Sequence, residues 1–246
     1  MNRLATLPAV ALAVGVTAAP LLFLLRVSLY ESGGPRGFYT PDTVTLSHYA
    51  ALAEAPILFT VAFALAVAVA STLFGLALAA FVESLTPGRQ SLAMGLLLAP
   101  KLAGALTTVF GLQRLLPRGT VAALIAEVTF VLPYAVLVIA LRLRGIPPDL
   151  RSAARGLGAT RRHVFRRVTL PLAAPAVLLA FQLSLAWGLG AFVGPLFLAG
   201  PGESTLGTQI QSHTAELRWP VAAAEGVLLL LLTAMVFALP RRRGHE

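Results

Sequence analysis

The feature that most constrains this chain is a series of apolar runs, each long enough to cross a lipid bilayer. A helix needs roughly 20 apolar residues to span a hydrocarbon core of about 30 Å. Because only 12% of the 246 residues are charged and 57% are hydrophobic, polar groups are too few to coat a water-exposed globule. We therefore expect an all-α membrane protein with six transmembrane helices, near residues 4–25, 57–82, 91–113, 120–141, 172–198 and 220–240.

The distribution of arginine predicts the orientation of these spans. If the N-terminus is inside, the cytoplasmic segments contain Arg3, Arg89, the arginines of 142–167 and Arg241 to Arg243, which are most of the 19 basic residues. The positive-inside rule favours this arrangement, with both termini in the cytoplasm. The first run could also be a signal peptide, but about 22 apolar residues exceed the usual signal core of about 7–15, so we favour an uncleaved span.

The sequence suggests three regions. Residues 1–44 hold the first span and an outer loop, 45–240 a five-span core with a cytoplasmic loop at 142–171, and 241–246 a basic cytoplasmic tail.

Several functions are disfavoured by what the sequence lacks. The chain has no cysteine, its histidines are scattered, and its single lysine, Lys101, follows Pro100 in an apolar run and not a phosphate-binding loop. The positive charges lie in loops without a nucleic-acid-binding motif. We therefore expect no enzyme activity, no metal site, no cofactor bound by this chain and no nucleic-acid partner. Gly188, Gly190 and Gly194 lie in an apolar run, where they favour close helix packing over dinucleotide binding.

The loop between the fourth and fifth spans has the pattern of a short amphipathic helix. Arg151 and Arg155 are predicted to lie opposite an apolar stripe that recurs at i, i+3, i+4 and i+7 and consists of Leu150, Ala153, Ala154 and Leu157. Gly158 suits a helix end or tight reversal, and Thr160 can cap a following helix. Such a basic helix could also simply rest on anionic lipid.

The same loop carries a motif with a specific spacing. Ser152-Ala153-Ala154, Gly158 and Val168-Thr169-Leu170-Pro171 resemble, in register, the EAA signature E-A-A-x3-G-x9-I-x-L-P of binding-protein-dependent ABC importer permeases. The resemblance implies a coupling helix that docks in a groove of a cytoplasmic ATP-binding cassette ATPase dimer, where ATP and Mg²⁺ would bind. It also implies a second permease copy or paralogue, an extracytoplasmic substrate-binding protein and a multi-pass location in the bacterial inner membrane.

The resemblance also implies roles for individual residues of the loop. Ala153, Ala154 and Leu157 would fill the groove. Gly158 would form the reversal, and Leu170-Pro171 would anchor the loop to the fifth span, with Val168 at the preceding apolar position of the signature. Ser152 departs from the family, which usually has a glutamate that pairs with a basic residue of the ATPase. Serine can form only a neutral hydrogen bond there.

Residues 190–201, with 205–210 and 218–223, resemble most the spermidine/putrescine-type branch of these permeases. Cargo in that branch includes polyamines, ferric iron, thiamine, phosphonates and oxyanions. The sequence does not decide among them.

Three ionisable residues fall within predicted spans: Lys101, Glu127 and Glu225. Because a buried unpaired charge is costly, we expect Lys101 to pair with Glu127, where the two could line a translocation path or tie the bundle together. An alternative function is an ATP-independent secondary carrier or channel in which these three residues relay ions. A membrane-anchored scaffold would explain the loop but not these charges.

Overall fold

The computed structural model describes residues 3–31 and 39–238. The predicted tail at 241–246, with Arg241 to Arg243, lies outside the described residues. The described chain is helical apart from a short antiparallel pair of strands, β1 (Tyr30–Glu31) and β2 (Thr40–Val44). The helices are α1 (Arg3–Val27), α2 (Ser47–Ala50), α3 (Ile57–Glu83), α4 (Pro87–Ala103), α5 (Ala105–Leu115), α6 (Thr120–Arg144), α7 (Pro148–Gly156), α8 (Arg161–Val164), α9 (Leu170–Leu189), α10 (Val193–Leu198), α11 (Leu206–Ala215) and α12 (Trp219–Ala238), with a 3₁₀ turn at Ala51–Glu54.

Helices α3, α6 and α9 pack against one another and form the centre of the bundle. Small residues let their backbones approach closely, as membrane helices require. A Cβ on Gly188 would stand 2.7 Å from Cα of Ala64, and one on Gly75 would stand 2.9 Å from Cβ of Ala135. The expected packing role of Gly188 is thus confirmed, and the other helices are arranged around this three-helix centre.

Hydropathy predicts six spans, and the structure supports the strongest of them but not the full count. Within the described residues, four helical segments are long and apolar enough to cross a membrane: Ile57–Glu83, Thr120–Arg144, Arg161–Leu189 and Trp219–Ala238. A fifth is obtained if α4 and α5 are counted as one bent span, and the Val14–Val27 part of α1 belongs among the shorter apolar helices. The structure therefore supports a multi-pass membrane protein with four to five such spans.

The third predicted span, 91–113, is broken in the middle. Helices α4 and α5 meet at Gly104 with a bend of 96°. Gly104 has φ +90°, a conformation that side chains with a Cβ rarely adopt. The Thr108 hydroxyl donates to the carbonyl of Pro100 at 3.1 Å, which links the two arms of the bend. A hydropathy window averages over such a break, because both arms are apolar.

The fifth predicted span, 172–198, is also shorter as a helix than expected. Helix α9 ends at Leu189, the chain turns through 190–192, and α10 begins at Val193. At its N-terminal end, however, α9 is extended, because α8 joins it through a π-helical turn at Phe165–Thr169. The wide turn leaves room for the ring of Pro171, which would clash with the carbonyl four residues earlier in a regular α-helix.

Candidate functional site

The loop predicted at 142–171 folds as a helix, a glycine reversal and a second helix. Pro148 starts α7 at a position where its missing N–H costs no hydrogen bond. After α7, Gly158 has φ +85°. Its N–H donates to Arg155 O at 2.9 Å, and the N–H of Ala159 donates to Ala154 O at 3.1 Å. These two bonds form a Schellman motif, so the predicted reversal at Gly158 is confirmed.

The second helix of the loop is capped as its sequence suggests. The Thr160 side chain accepts a hydrogen bond from the His163 N–H at 3.3 Å. From Arg161 the chain continues through α8 and the π turn into α9. The loop is thus connected to the bundle by an unbroken helical segment.

Helix α7 turns its charged side toward the bundle and its apolar side away. Arg151 and Arg155 line a cavity of about 330 Å³ together with Leu143 of α6 and Ala80 of α3. Leu157, in contrast, is 91% exposed and Leu150 is 46% exposed. An exposed apolar edge on a helix outside the spans marks a surface that a partner can cover.

The remaining residues of the EAA-like motif lie on α7 itself and at the start of the helical segment that leads into α9. Ser152 and Ala153 are exposed, and Ala154 is half-buried between the two sides of the helix. Val168 and Leu170 are half-buried at the π turn and at the start of α9, and Pro171 is exposed. The roles that the resemblance implies for them stay predictions.

A second cavity, of about 460 Å³, lies at the two helix breaks. It is bordered by Ala105 beside the Gly104 bend, by the 190–192 turn, and by Lys101, Glu127 and Trp187. The structure therefore brings two of the three predicted intramembrane charges to one cavity.

Lys101 and Glu127 do not form the expected ion pair, although both side chains are described. No contact within 4 Å joins them; instead the Glu127 carboxylate accepts hydrogen bonds from Trp187 Nε1 at 2.9 Å and from the Gly194 N–H at 3.0 Å. The Lys101 ammonium lies 4.2 Å from the centre of the Trp187 ring and 5.4 Å from that of Tyr134. An indole thus lies between the two charges and satisfies both, by hydrogen bond and by cation–π contact.

Sequence reasoning missed Trp187 and Gly194 as partners of Glu127. A tryptophan inside an apolar span carries one indole N–H that needs an acceptor, so the sequence does indicate that Trp187 has a polar partner. The Gly194 contact had no such signal, because it depends on the turn at 190–192. A Cβ on Gly194 would stand 2.8 Å from Glu127 Oε1, so glycine is required for this approach.

Glu225 lies apart from that cavity. Its carboxylate contacts His213 Nδ1 at 3.0 Å, which joins α12 to α11. Its place on a translocation path stays a prediction. In the described part of the chain, no three His, Cys, Asp or Glu side chains come together as metal ligands.

Comparison with known proteins identifies the family. Residues 91–242 match the family model described as "Binding-protein-dependent transport system inner membrane component". The spermidine/putrescine transport system permease protein PotC of Escherichia coli (strain K12) is 34% identical over 116 residues, which are 47% of this chain and 44% of that protein. The match thus spans less than half the length of this relative.

Two solved structures share the fold. The crystal structure of a bacterial ABC transporter involved in the import of the acidic polysaccharide alginate aligns with a TM-score of 0.73 at 16% identity, over 97% of this chain and 94% of that one. The alginate transporter in complex with its alginate pentasaccharide-bound periplasmic protein aligns with a TM-score of 0.70 at 18% identity, over 96% and 92%. Since the family model covers more than half of the sequence, this chain belongs to the binding-protein-dependent transport system inner membrane components, a family of transport subunits.

Proposed function

We propose that this chain is the membrane-spanning permease subunit of an ATP-driven importer, and that its 145–171 loop couples it to a separate ATPase. The observation that carries the proposal is the orientation of α7. Its apolar edge, with Ala153 and Leu157, is exposed on the side away from the bundle. The match of Ser152 to Pro171 with the EAA signature supports an ATPase as the partner that covers this edge.

The Gly158 reversal suits this role because it fixes the angle between the docking helix and the spans. Two backbone hydrogen bonds close the reversal, and α8 runs on into α9. A displacement of α7 is therefore transmitted to a long helix, because no flexible linker lies between them. ATP and Mg²⁺ belong to the ATPase in this proposal, and this chain binds neither.

The cavity bordered by Lys101 and Glu127 is proposed as part of the cargo path. It lies between two interrupted helical segments, α4–α5 and α9–α10, and irregular backbone at membrane depth is tolerated where it lines a cavity. The path would be completed by a second permease copy or a paralogue, and an extracytoplasmic binding protein would deliver the cargo. Because a PotC relative is named for spermidine and putrescine, these polyamines are the first cargo to test.

A topology of six spans with both termini in the cytoplasm is part of the proposal. It counts α1 as the first span and α4–α5 as one bent span. The arginines of α7 and α8 are then cytoplasmic, as the positive-inside rule requires.

The test replaces Leu157 with aspartate. Because this side chain is 91% exposed, the substitution leaves the fold unchanged while placing a charge on the docking edge. Affinity purification of the wild-type chain from native membranes should recover an ATPase, and the Leu157→Asp variant should lose it by tenfold or more. Leu157→Met, which keeps an apolar side chain, should retain the ATPase.

Equal recovery of the ATPase with the wild type and with both variants would contradict docking through α7. Uptake of cargo by the purified chain alone in vesicles, without ATP, would instead support the secondary carrier or channel.

A further inference from the structure

The inward side of α7 holds more positive charge than the structure neutralises. The cavity of about 330 Å³ between the loop and the ends of α3 and α6 is lined by three arginines, Arg151, Arg155 and Arg161. One carboxylate, that of Glu83, also borders it. That carboxylate is already bound to Arg144, whose Nε donates to it at 2.6 Å.

The hydrogen-bonding capacity of these arginines is only partly used. Arg151 donates from Nη2 to Leu143 O at 2.8 Å, but its Nε is buried without a hydrogen-bond partner. Arg155 and Arg161 are exposed; Arg155 donates from Nε to Arg151 O at 3.3 Å, and among the described residues the Arg161 side chain has no hydrogen-bond or ion-pair partner. A buried, unpartnered guanidinium N–H costs about 1–3 kcal/mol or more, so a buried donor of this kind indicates a missing acceptor.

The rest of the lining indicates what kind of acceptor fits. Planar guanidinium groups bind phosphate oxygens in pairs, and three of them match a phosphate better than a single carboxylate in charge. The other lining residues include Val164, Phe165 and Leu143, which give the cavity an apolar side. A phosphate with carbon attached would therefore use both parts of the lining.

We infer that this cavity is a binding site for a phosphate group, held by Arg151, Arg155 and Arg161 between the loop and the bundle. The phosphate comes from an anionic phospholipid of the cytoplasmic leaflet or from free phosphate in the cytoplasm. Basic pockets at the cytoplasmic ends of membrane helices are known to take phospholipid headgroups. The inference rests on the geometry of the loop and does not depend on the identity of the partner that docks on α7.

Bound phosphate would join the loop to α3 and α6. Three guanidinium groups line one cavity here, and a doubly charged anion would offset their mutual repulsion. The stiffness of the connection between docking helix and bundle would then depend on occupancy of the site.

The experiment uses the full chain in nanodiscs of neutral phosphatidylcholine. In one arm phosphatidylglycerol is added and retained lipid is measured by native mass spectrometry. In the other, inorganic phosphate is added at constant ionic strength and the thermal unfolding midpoint is measured. Selective retention of phosphatidylglycerol identifies the lipid as the source, and a raised midpoint with inorganic phosphate identifies free phosphate.

Two double variants make the experiment decisive. Arg155→Gln with Arg161→Gln should weaken binding roughly tenfold or more for each guanidinium lost, since a hydrogen bond to a charged group contributes about 1.5–3 kcal/mol. Arg162→Gln with Arg166→Gln removes the same charge from exposed positions outside the cavity and should bind as the wild type does. Circular dichroism checks that both variants fold.

Either of two results would overturn the inference. One is that neither probe binds selectively to the wild type. The other is that both double variants lose binding equally, which would indicate attraction by overall charge and not by this cavity.

Discussion

Two charged clusters of this molecule, one among the membrane-spanning helices and one beside the 142–171 loop, differ in how completely the chain satisfies them. The Glu127 carboxylate is 2% exposed, and each of its oxygens accepts a hydrogen bond, from Trp187 or from Gly194. The Arg151 cluster has a buried Nε without a partner and no carboxylate of its own that is free. The first cluster has all its partners within this chain, whereas the second has a buried donor to which the chain supplies no acceptor.

The difference links the Glu127 cluster to the stability of the bundle and the Arg151 cluster to the binding of another molecule. In an apolar surrounding, an unpaired polar group is costly, so the chain itself must supply every partner of Glu127. Outside the spans, beside the 142–171 loop, water can substitute for a missing partner, so an incomplete cluster is tolerated. The predictions below test this contrast.

The largest effect is expected from removing the Glu127 carboxylate. Glu127→Ala leaves the N–H groups of Trp187 and Gly194 buried without acceptors, which should cost roughly 2–4 kcal/mol in the free energy of unfolding. Denaturant unfolding in detergent measures this. Glu216→Ala, at an exposed carboxylate, is the matched control and should change stability little.

The same geometry predicts the result of exchanging the two charges. Lysine at position 127 can donate but cannot accept, so the variant with Lys101→Glu and Glu127→Lys should not recover the stability or transport lost in the single variants. Recovery in the double variant would mean that Lys101 and Glu127 act as a simple ion pair and that the cluster is not closed by Trp187 and Gly194.

An intermediate effect is expected at Gly158. Leucine there must adopt φ +85°, at a cost of about 1–2 kcal/mol, so Gly158→Leu should distort the reversal and abolish stimulation of the ATPase by cargo. Gly156→Leu, inside α7 at a position with no atom near the added Cβ, should leave stimulation intact. ATPase assays on the reconstituted transporter compare the two.

Ser152→Glu tests the departure from the family motif in the same assay. The side chain is exposed, so stimulation should remain largely unchanged.

For the glycine variant, stimulation of the ATPase at the wild-type level in Gly158→Leu would contradict the coupling role of the loop.

The smallest effect is expected at Glu203, in the loop before α11. Hydrogen bonds from Thr120 and from the Gly200 N–H hold the pKa of this carboxyl below its ordinary value of 4.5. Because the pKa is lowered on folding, the stabilisation is present above pH 4.5 and is lost as the pH falls through the folded-state pKa. The melting temperature of Glu203→Gln should therefore lie slightly below that of the wild type at pH 7, and the difference should shrink as the pH falls through the folded-state pKa.

A difference that persists at acid pH would show that the Glu203 charge is not what holds this loop. Glu216→Gln, at an exposed position after α11, serves as the control.

The structure of the 142–171 loop could be predicted from sequence because it is local. A proline start, the i, i+3, i+4 stripe, the Gly158 reversal and the Thr160 cap each depend on neighbours within a few residues. Its orientation could not be predicted in the same way. Periodicity separates the arginine side from the apolar side, but only the three-dimensional structure shows that Arg151 and Arg155 line a cavity toward the bundle and that Arg151 donates to Leu143 O.

The cluster at Glu127 was predicted only in part, because its geometry depends on two breaks in apolar helices. The hydropathy stays high across the bend at Gly104 and across the turn at 190–192. The sequence therefore predicts a continuous span at each of these places. Without these breaks, Lys101 and Glu127 were expected to pair directly. The backbone N–H of Gly194, exposed by the turn, could not be anticipated from residue types.

The π turn at Phe165–Thr169 has a mechanical consequence. By joining α8 to α9 without interruption, it makes the 29 residues of Arg161–Leu189 one rod, about 43 Å long at 1.5 Å per residue. One end of this rod lies beside the Gly158 reversal and the other beside the 190–192 turn. A tilt of only about 5° about the Arg161 end would displace the Leu189 end by roughly 4 Å, enough to widen or narrow an opening the size of a small solute.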